Sequence, residues 1–261
     1  MRTEIRLAVM AVFIGLLSAF PHPARAFEWR KETNKVLAPG EKLCFSIKWQ
    51  FITVGYATME IMGIDDVFNR KAFHIYTEAR SSSFFDTFYK VRDTNESWMD
   101  TESLCSLKFV SIVNESKHDK TETLILDQEN RKFTLVENNK SGPIPQWVQD
   151  VLSCLYYLRT KDLAVGQAVT IDAHQGDESW PLIIKIVKRE KIRVPAGEFD
   201  CFLVEPAVRE GAGIFQAKGK IWVWLTADER KVPVKMSSKI PIGSVEAVLT
   251  DMKIPLIDAG R

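Results

Sequence analysis

The residues whose types and spacing most resemble a catalytic or metal-binding site are Asp172, His174, Asp177 and Glu178. Alternate positions of a strand point to one side, so Asp172 and His174 are spaced to converge on an ion or a proton-transfer site. A charged strand end is more often simply solvated. The chain contains no Gly-x-Ser-x-Gly, Ser-x-x-Lys or His-Glu-x-x-His motif. We therefore predict no catalytic residue, no metal site and no cofactor.

Aromatic residues are the stronger functional signal, because all seven Trp lie after residue 26. Trp222 and Trp224 are two residues apart on a predicted strand and so share one face. Large amphipathic rings suit either a core or the wall of an apolar ligand cavity. A curled sheet would enclose such a cavity, and the predicted ligand-binding residues are Trp49, Tyr56, Phe215, Trp222 and Trp224.

Four cysteines, Cys44, Cys105, Cys154 and Cys201, are widely spaced and form no Cys-x-x-Cys pair. This spacing argues against a thioredoxin-like redox site and a zinc knuckle. In an oxidising compartment the four are disulfide candidates with three ways to pair. Buried free thiols are the alternative, since a chain of this length can be stable without a bridge.

The N-terminus resembles a secretory signal peptide. Arg2 and Arg6 precede fourteen apolar positions at 7–20, and Ala24-Arg25-Ala26 follows. The apolar run is too short to span a bilayer as a helix. We expect cleavage after Ala26 and a product free in the periplasm or, alternatively, secreted, and not membrane-spanning. Cleavage takes 35 basic residues to 32 and 34 acidic residues to 33, and this near-neutral charge argues against a nucleic-acid partner.

About a dozen short strands are predicted after residue 41. Leu43, Phe45, Ile47 and Trp49 alternate with polar residues, which is typical of a strand with one buried face. The period changes only at about 146–160, where Val148, Val151, Leu152, Leu155 and Leu158 share one helical face. The sequence therefore predicts a mainly β fold: an antiparallel curved sheet or open barrel with one amphipathic helix. No linker-like segment divides it, so residues 27–261 are expected to form one exported domain, with two lobes as the alternative.

The C-terminal third has a recognisable pattern. It includes Val194-Pro195-Ala196-Gly197-Glu198-Phe199-Asp200, the run from Lys218 to Thr226, Val232-Pro233-Val234-Lys235-Met236 and Gly243-Ser244-Val245. Together with Gly40-Glu41-Lys42-Leu43 and the helix, this pattern resembles a bacterial exported family known as domain of unknown function 3108, over about residues 40–255. The resemblance carries no catalytic motif. At the level of fold, such proteins are also similar to the curved sheets of periplasmic lipoprotein carriers.

Three functions remain open from the sequence. The first is a non-enzymatic periplasmic protein that binds a lipid or another apolar envelope molecule in a concave sheet. The second is an envelope interaction or assembly module that uses sheet edges or the Gly211–Phe215 loop with a protein partner. The third is a hydrolase whose carboxylates, such as Asp172 and Asp177, meet only in the fold.

Overall fold

The computed structural model describes residues 27–116, 118–207, 220–240 and 243–256. The predicted signal peptide and Phe215 lie outside these ranges. The strands are β1 (Lys42–Trp49), β2 (Ile52–Val67), β3 (Arg70–Ser81), β4 (Arg92–Asp100), β5 (Ser106–Glu115), β6 (His118–Asp127), β7 (Lys132–Leu135), β8 (Lys140–Pro143), β9 (Gln149–Asp150), β10 (Ala168–Gln175), β11 (Glu178–Val194), β12 (Gly197–Ala207), β13 (Ile221–Thr226), β14 (Pro233–Ile240) and β15 (Gly243–Lys253). The helices are α1 (Ser83–Asp86) and α2 (Ser153–Arg159).

All fifteen described strands belong to one sheet, which confirms the predicted mainly β fold. The order is β8-β7-β6-β5-β4-β3-β2-β1-β15-β14-β13-β12-β11-β10-β9, so all adjacent strands except the β1–β15 pair are consecutive in sequence. β1 and β15 pair antiparallel and thereby join the first and last strands at the centre of the sheet. Only the β9–β10 pair is parallel among the described strands. The sheet is curved and unclosed.

Alternation along β1 places its apolar residues on the concave face, as the sequence predicts. Leu43 and Phe45 are buried in the main core. Gly55 on the neighbouring β2 allows a close approach to β3, because a Cβ there would lie 2.3 Å from the carbonyl oxygen of Arg80. The alternation along β1 therefore determines which face is buried, and the missing side chain at Gly55 allows β2 and β3 to pack closely.

The amphipathic helix is shorter than the predicted span of 146–160. Trp147 has a left-handed backbone with φ of 64°, and the next residues, Gln149 and Asp150, form β9 rather than a helical turn. Asp150 Oδ1 accepts hydrogen bonds from the backbone N–H groups of Leu152 and Ser153, each at 2.8 Å. These bonds satisfy N–H groups that a helix start leaves unpaired, so the helix begins after Asp150.

The two edges of the sheet, β8 and β9, approach through side chains. The Phe133 ring on β7 lies 4.7 Å from the His174 ring on β10, and Lys140 on β8 forms an ion pair with Asp177. Both edge strands are short, four and two residues long. Short edges offer little backbone for pairing with another chain, which weakens the sheet-edge version of an interaction module.

One hydrophobic cluster lines the inside of the curled sheet. It contains Ile61 and Phe73 from the N-terminal strands, Ile171 and Val204 from the C-terminal strands, and Leu158 from α2. The helix thus lies inside the curl and is part of a core that both halves share. No described helix has the length and apolar character needed to cross a membrane.

A buried ion pair fastens the end of α2 to the start of β1. Arg159 Nη1 and Nη2 donate to Glu41 Oε1 and Oε2, both at 2.7 Å, and Arg159 Nε donates to the Arg230 carbonyl oxygen at 3.3 Å. The two side chains are 0% and 2% exposed. Burial opposes the charge on Arg159, but the hydrogen bonds that Arg159 donates to Glu41 outweigh it and raise the pKa of Arg159. The bidentate geometry compensates for the lost hydration.

Arg159→Met is expected to lower the free energy of unfolding by about 3–5 kcal/mol, because the substitution leaves the Glu41 carboxylate buried without its partner. The double variant Glu41→Leu/Arg159→Met should recover much of this loss. Urea unfolding measures both. The control is Lys71→Met, which removes an exposed pair with Asp66 and should cost less than about 1 kcal/mol. A loss for Arg159→Met no larger than the control would contradict the anchoring role.

Candidate functional site

Asp150 anchors the other end of α2 in the interior. Its Oδ2 accepts hydrogen bonds from the hydroxyls of Ser97 at 2.6 Å and Ser106 at 2.5 Å, while Oδ1 accepts from the helix start. Burial, the largest influence, raises the pKa of Asp150, although the serine hydroxyls act in the opposite direction. Since Ser97 lies on β4 and Ser106 on β5, Asp150 fixes the helix to the N-terminal half of the sheet.

An apolar cavity of about 390 Å³ lies between α2 and the C-terminal strands. We call it the apolar cavity. Cross-strand neighbours Val204, Val223, Met236 and Ala247 form a continuous row on its floor. Its lining comprises Val151, Cys154, Leu155, Leu158, Leu182, Ile184, Val204, Pro206, Ile221, Val223, Met236, Ser237, Ser238, Val245 and Ala247. Its volume falls in the range of about 300–1,000 Å³ that small-molecule sites occupy.

A second apolar space, the side cavity, adjoins the first. It measures about 270 Å³ and is lined by Ile47, Trp49, Val54, Gly55, Arg80, Ser81, Phe85, Tyr89, Val91 and Val245. Val245 lines both spaces. The Phe85 ring lies 5.5 Å from Phe84 and 6.4 Å from Phe88, and both of those rings are exposed. Apolar surface therefore continues from the side cavity to the outside of the molecule.

A third space, the polar chamber, lies next to the residues that precede α2, Val151 and Leu152. It measures about 470 Å³ and shares Val151 with the apolar cavity. Its lining comprises Thr77, Asp93, Asn95, Phe109, Ser111, Val113, Lys120, Glu122, Val151, Leu152 and Gln175. The interior of the curl is thus almost wholly apolar beneath the C-terminal strands, whereas at one end of β3–β6 polar side chains are interspersed with apolar ones.

The four predicted ligand-binding residues that the structure describes do not line one common space. Trp49 lines the side cavity, but Tyr56 is largely exposed on β2. Trp222 and Trp224 do not line the apolar cavity, because Ile221 and Val223 between and beside them face it. On the opposite face, Trp224 Nε1 donates to Glu190 Oε1 at 2.8 Å. Alternation along the strand predicts that the two indoles share one face of β13, but it does not predict which face of β13 lines the cavity.

The sequence matches the model of a family described as protein of unknown function (DUF3108) over residues 44–250. The chain belongs to the DUF3108 family. This confirms the family resemblance seen in the sequence. Comparison with curated proteins gives no match.

Solved structures are similar to this DUF3108 chain in fold. A β-barrel-like protein of the domain of unknown function DUF1849 from Brucella abortus is 11% identical, with a TM-score of 0.57 over 84% of this chain and 99% of that one. A hypothetical protein from Chlamydia trachomatis is 8% identical, with a TM-score of 0.38 over 85% and 90%. A Bacteroides fragilis protein with a YmcC-like fold is 10% identical, with a TM-score of 0.31 over 87% and 99%. The Brucella structure supports the open-barrel fold.

Two of the four residues singled out as a possible acid–base or metal site in this DUF3108 chain, His174 and Asp177, make structural contacts. His174 is buried, and its Nδ1 and Nε2 lie 2.6 Å from Ser179 Oγ and 3.0 Å from the Gly176 carbonyl oxygen. Burial lowers the pKa of His174. The hydrogen bond from Lys140 lowers the pKa of Asp177, whereas a general acid needs a raised one. No group of three or more possible metal ligands occurs among the residues that the structure describes.

All four cysteines are free thiols in the structure, and only Cys44 is partly exposed. Burial raises the pKa of Cys105 and of Cys201 to about 12. It also raises the pKa of Cys154, which lines the apolar cavity. Because the thiolate is the reactive form, the three buried thiols are expected to be inert.

A thiol-reactive disulfide reagent should therefore label one cysteine rapidly in the folded protein purified from the periplasm of an expression host. All four should react after unfolding without a reductant. Cys44→Ser should abolish the rapid phase and leave three thiols. Fewer than four thiols in the unfolded wild-type chain would show a disulfide and contradict the free-thiol arrangement.

Asp150→Ala is expected to lower the free energy of unfolding by about 3 kcal/mol, because it leaves two hydroxyls and two backbone N–H groups without their buried acceptor. Asp150→Asn should cost less, since its amide oxygen can still accept from the helix start and its NH₂ can donate to the serine oxygens. Urea unfolding provides the comparison. Asp172→Ala, at an exposed position of β10, is the control. Equal losses of unfolding free energy for Asp150→Ala, Asp150→Asn and Asp172→Ala would contradict the anchoring role of Asp150.

Proposed function

We propose that this DUF3108 chain is a non-enzymatic protein of the bacterial envelope that binds a lipid or another molecule with an acyl chain inside its curled sheet. The observation that carries the proposal is the apolar cavity between α2 and the row Val204, Val223, Met236 and Ala247. The N-terminal sequence supports export to the envelope, where such molecules are abundant.

The shape of the apolar space favours a long ligand over a compact one. The apolar cavity and the side cavity meet at Val245, and the side cavity leads to the exposed rings of Phe84 and Phe88. An acyl chain gains about 0.8 kcal/mol for each methylene group it buries. A chain that follows this route can bury many methylene groups against walls already formed by the sheet and α2.

The non-enzymatic character rests on what the polar side chains do. His174 and Asp177 have the residue types of an acid–base site, but their contacts are structural. The His174 ring packs against Phe133 and bonds to Ser179 in the β10–β11 hairpin, and Asp177 pairs with Lys140 on β8. The side chains that line the apolar cavity, apart from Ser237, Ser238 and Cys154, are hydrocarbon or thioether groups. Such a lining binds by exclusion of water and offers no group poised for hydrolysis.

Val223→Trp tests this site because the larger ring would occupy the apolar cavity from its floor. The probe is N-phenyl-1-naphthylamine, an uncharged dye whose fluorescence rises in apolar surroundings. We expect the wild-type protein to bind the dye and the variant to bind it at least tenfold more weakly, about 1.4 kcal/mol. Dodecanol should displace the dye from the wild-type protein.

The matched control is Val187→Trp, which makes the same change at an exposed position of β11. It should bind the dye like the wild-type protein. Thermal unfolding of both variants checks that each is folded. Absence of dye binding to the wild-type protein, or equal binding by the two variants, would overturn the proposal.

A further inference from the structure

Inward-facing positions change from apolar to polar along four adjacent strands of the N-terminal half. The row Ile75, Ser97, Phe109 and Leu124 crosses β3, β4, β5 and β6 in register and is buried. Two residues further along each strand, the next row is Thr77, Asn95, Ser111 and Glu122. Because side chains two residues apart share a face, this second row also points into the curl. It lines the polar chamber.

Polar residues on the concave face of a sheet need a compensating partner. Burying a polar group without a hydrogen bond is unfavourable. In the polar chamber, Gln175 Oε1 is buried and accepts no hydrogen bond from the residues that the structure describes. The hydrogen bond from Thr77 Oγ1 to the Asn95 carbonyl oxygen is long, at 3.5 Å. The side chains of Thr77, Asn95, Ser111 and Glu122 in the lining offer hydroxyl, amide and carboxylate groups, which suit a ligand rich in hydroxyls.

The charges in the polar chamber disfavour an anionic ligand. Lys120 Nζ lies 2.6 Å from Glu122 Oε2, so its charge is already compensated. Asp93 adds a further carboxylate, whose Oδ1 accepts the backbone N–H of Asn114 at 2.9 Å. The described lining thus holds two acidic side chains and one basic one. A phosphate or sulfate group would meet net negative charge there, whereas an uncharged sugar-like group would meet hydrogen-bonding partners.

The polar chamber and the apolar cavity share Val151, immediately before α2. The two spaces are therefore neighbours at Val151 and differ in polarity. We infer that the ligand is an uncharged amphiphile whose polyhydroxylated head group, such as a sugar, occupies the polar chamber while its acyl chain lies in the apolar cavity. This inference rests on the proposed function and assigns the ligand class of the same site.

The test compares amphiphiles that share the same dodecyl tail and differ in their head groups, each used below its critical micelle concentration. Dodecyl maltoside, dodecyl sulfate and dodecyltrimethylammonium compete with N-phenyl-1-naphthylamine for the wild-type protein. We expect dodecyl maltoside to displace the dye at a concentration at least tenfold lower than either charged amphiphile. Equal displacement by all three, or preference for a charged head group, would overturn the inference while leaving the acyl-chain site intact. No dye binding would overturn the proposed function itself.

Substitutions in the polar chamber locate the head group. The quantity measured is the ratio of the displacing concentration of dodecyl sulfate to that of dodecyl maltoside, called the maltoside advantage. Ser111→Val and Gln175→Leu should each reduce this advantage at least threefold and leave the affinity for the dye unchanged. Thr121→Val, which makes a similar change at an exposed position of β6, should keep the full advantage. Ser111→Ala replaces Ser111→Val if the larger side chain prevents folding. An unchanged advantage in the chamber variants would place the head group elsewhere and overturn the inference.

Discussion

The bidentate ion pair between Arg159 and Glu41 is the interaction on which the interior of this protein depends. A sheet that curls without closing has a concave face that its own strands cannot cover, and a single seven-residue helix covers it. A helix this short is not stable by itself. It is held at one end by Arg159 and at the other by Asp150, and both anchors reach into strands of the N-terminal half. Fixed at its ends, the helix lines the apolar cavity with Cys154, Leu155 and Leu158 and leaves that space unfilled.

This arrangement divides the interior by polarity. On the C-terminal side the strands present aliphatic rows to α2, and on the N-terminal side the same concave surface ends in a row of hydroxyl, amide and carboxylate groups. A core built only for stability would continue the apolar rows to the end of the strands. The change at Thr77, Asn95 and Ser111 gives up apolar burial and creates a surface that water or a polar ligand must satisfy. The proposed amphiphile has an apolar part and a polar part, which match the two kinds of lining.

Sequence reasoning recovers the fold well where local rules decide it. Strand alternation predicts the buried face of β1, and Leu43 and Phe45 on that face lie in the main core. The start of α2 is missed because the capping group, Asp150, lies inside the predicted helix and acts through serines on distant strands. The sequence pairs Trp222 with Trp224 but cannot assign their face, since that depends on the direction in which the whole sheet curls. In the sequence, the polar chamber is indicated only by a change from apolar to polar at alternate positions, as in Leu107-x-Phe109-x-Ser111. This change can be interpreted only when the four strands are aligned in register.

The central claim is that an acyl chain lies inside the curl, between α2 and the C-terminal strands. Methyl NMR with a spin-labelled fatty alcohol tests it directly, because the label broadens only the methyl groups near it. The account predicts selective broadening of methyl groups that line the apolar cavity, including those of Leu155, Val223 and Met236, with little effect on the exposed Ile183 and Val187. Broadening confined to the exposed methyl groups, or spread equally over both sets, would contradict it.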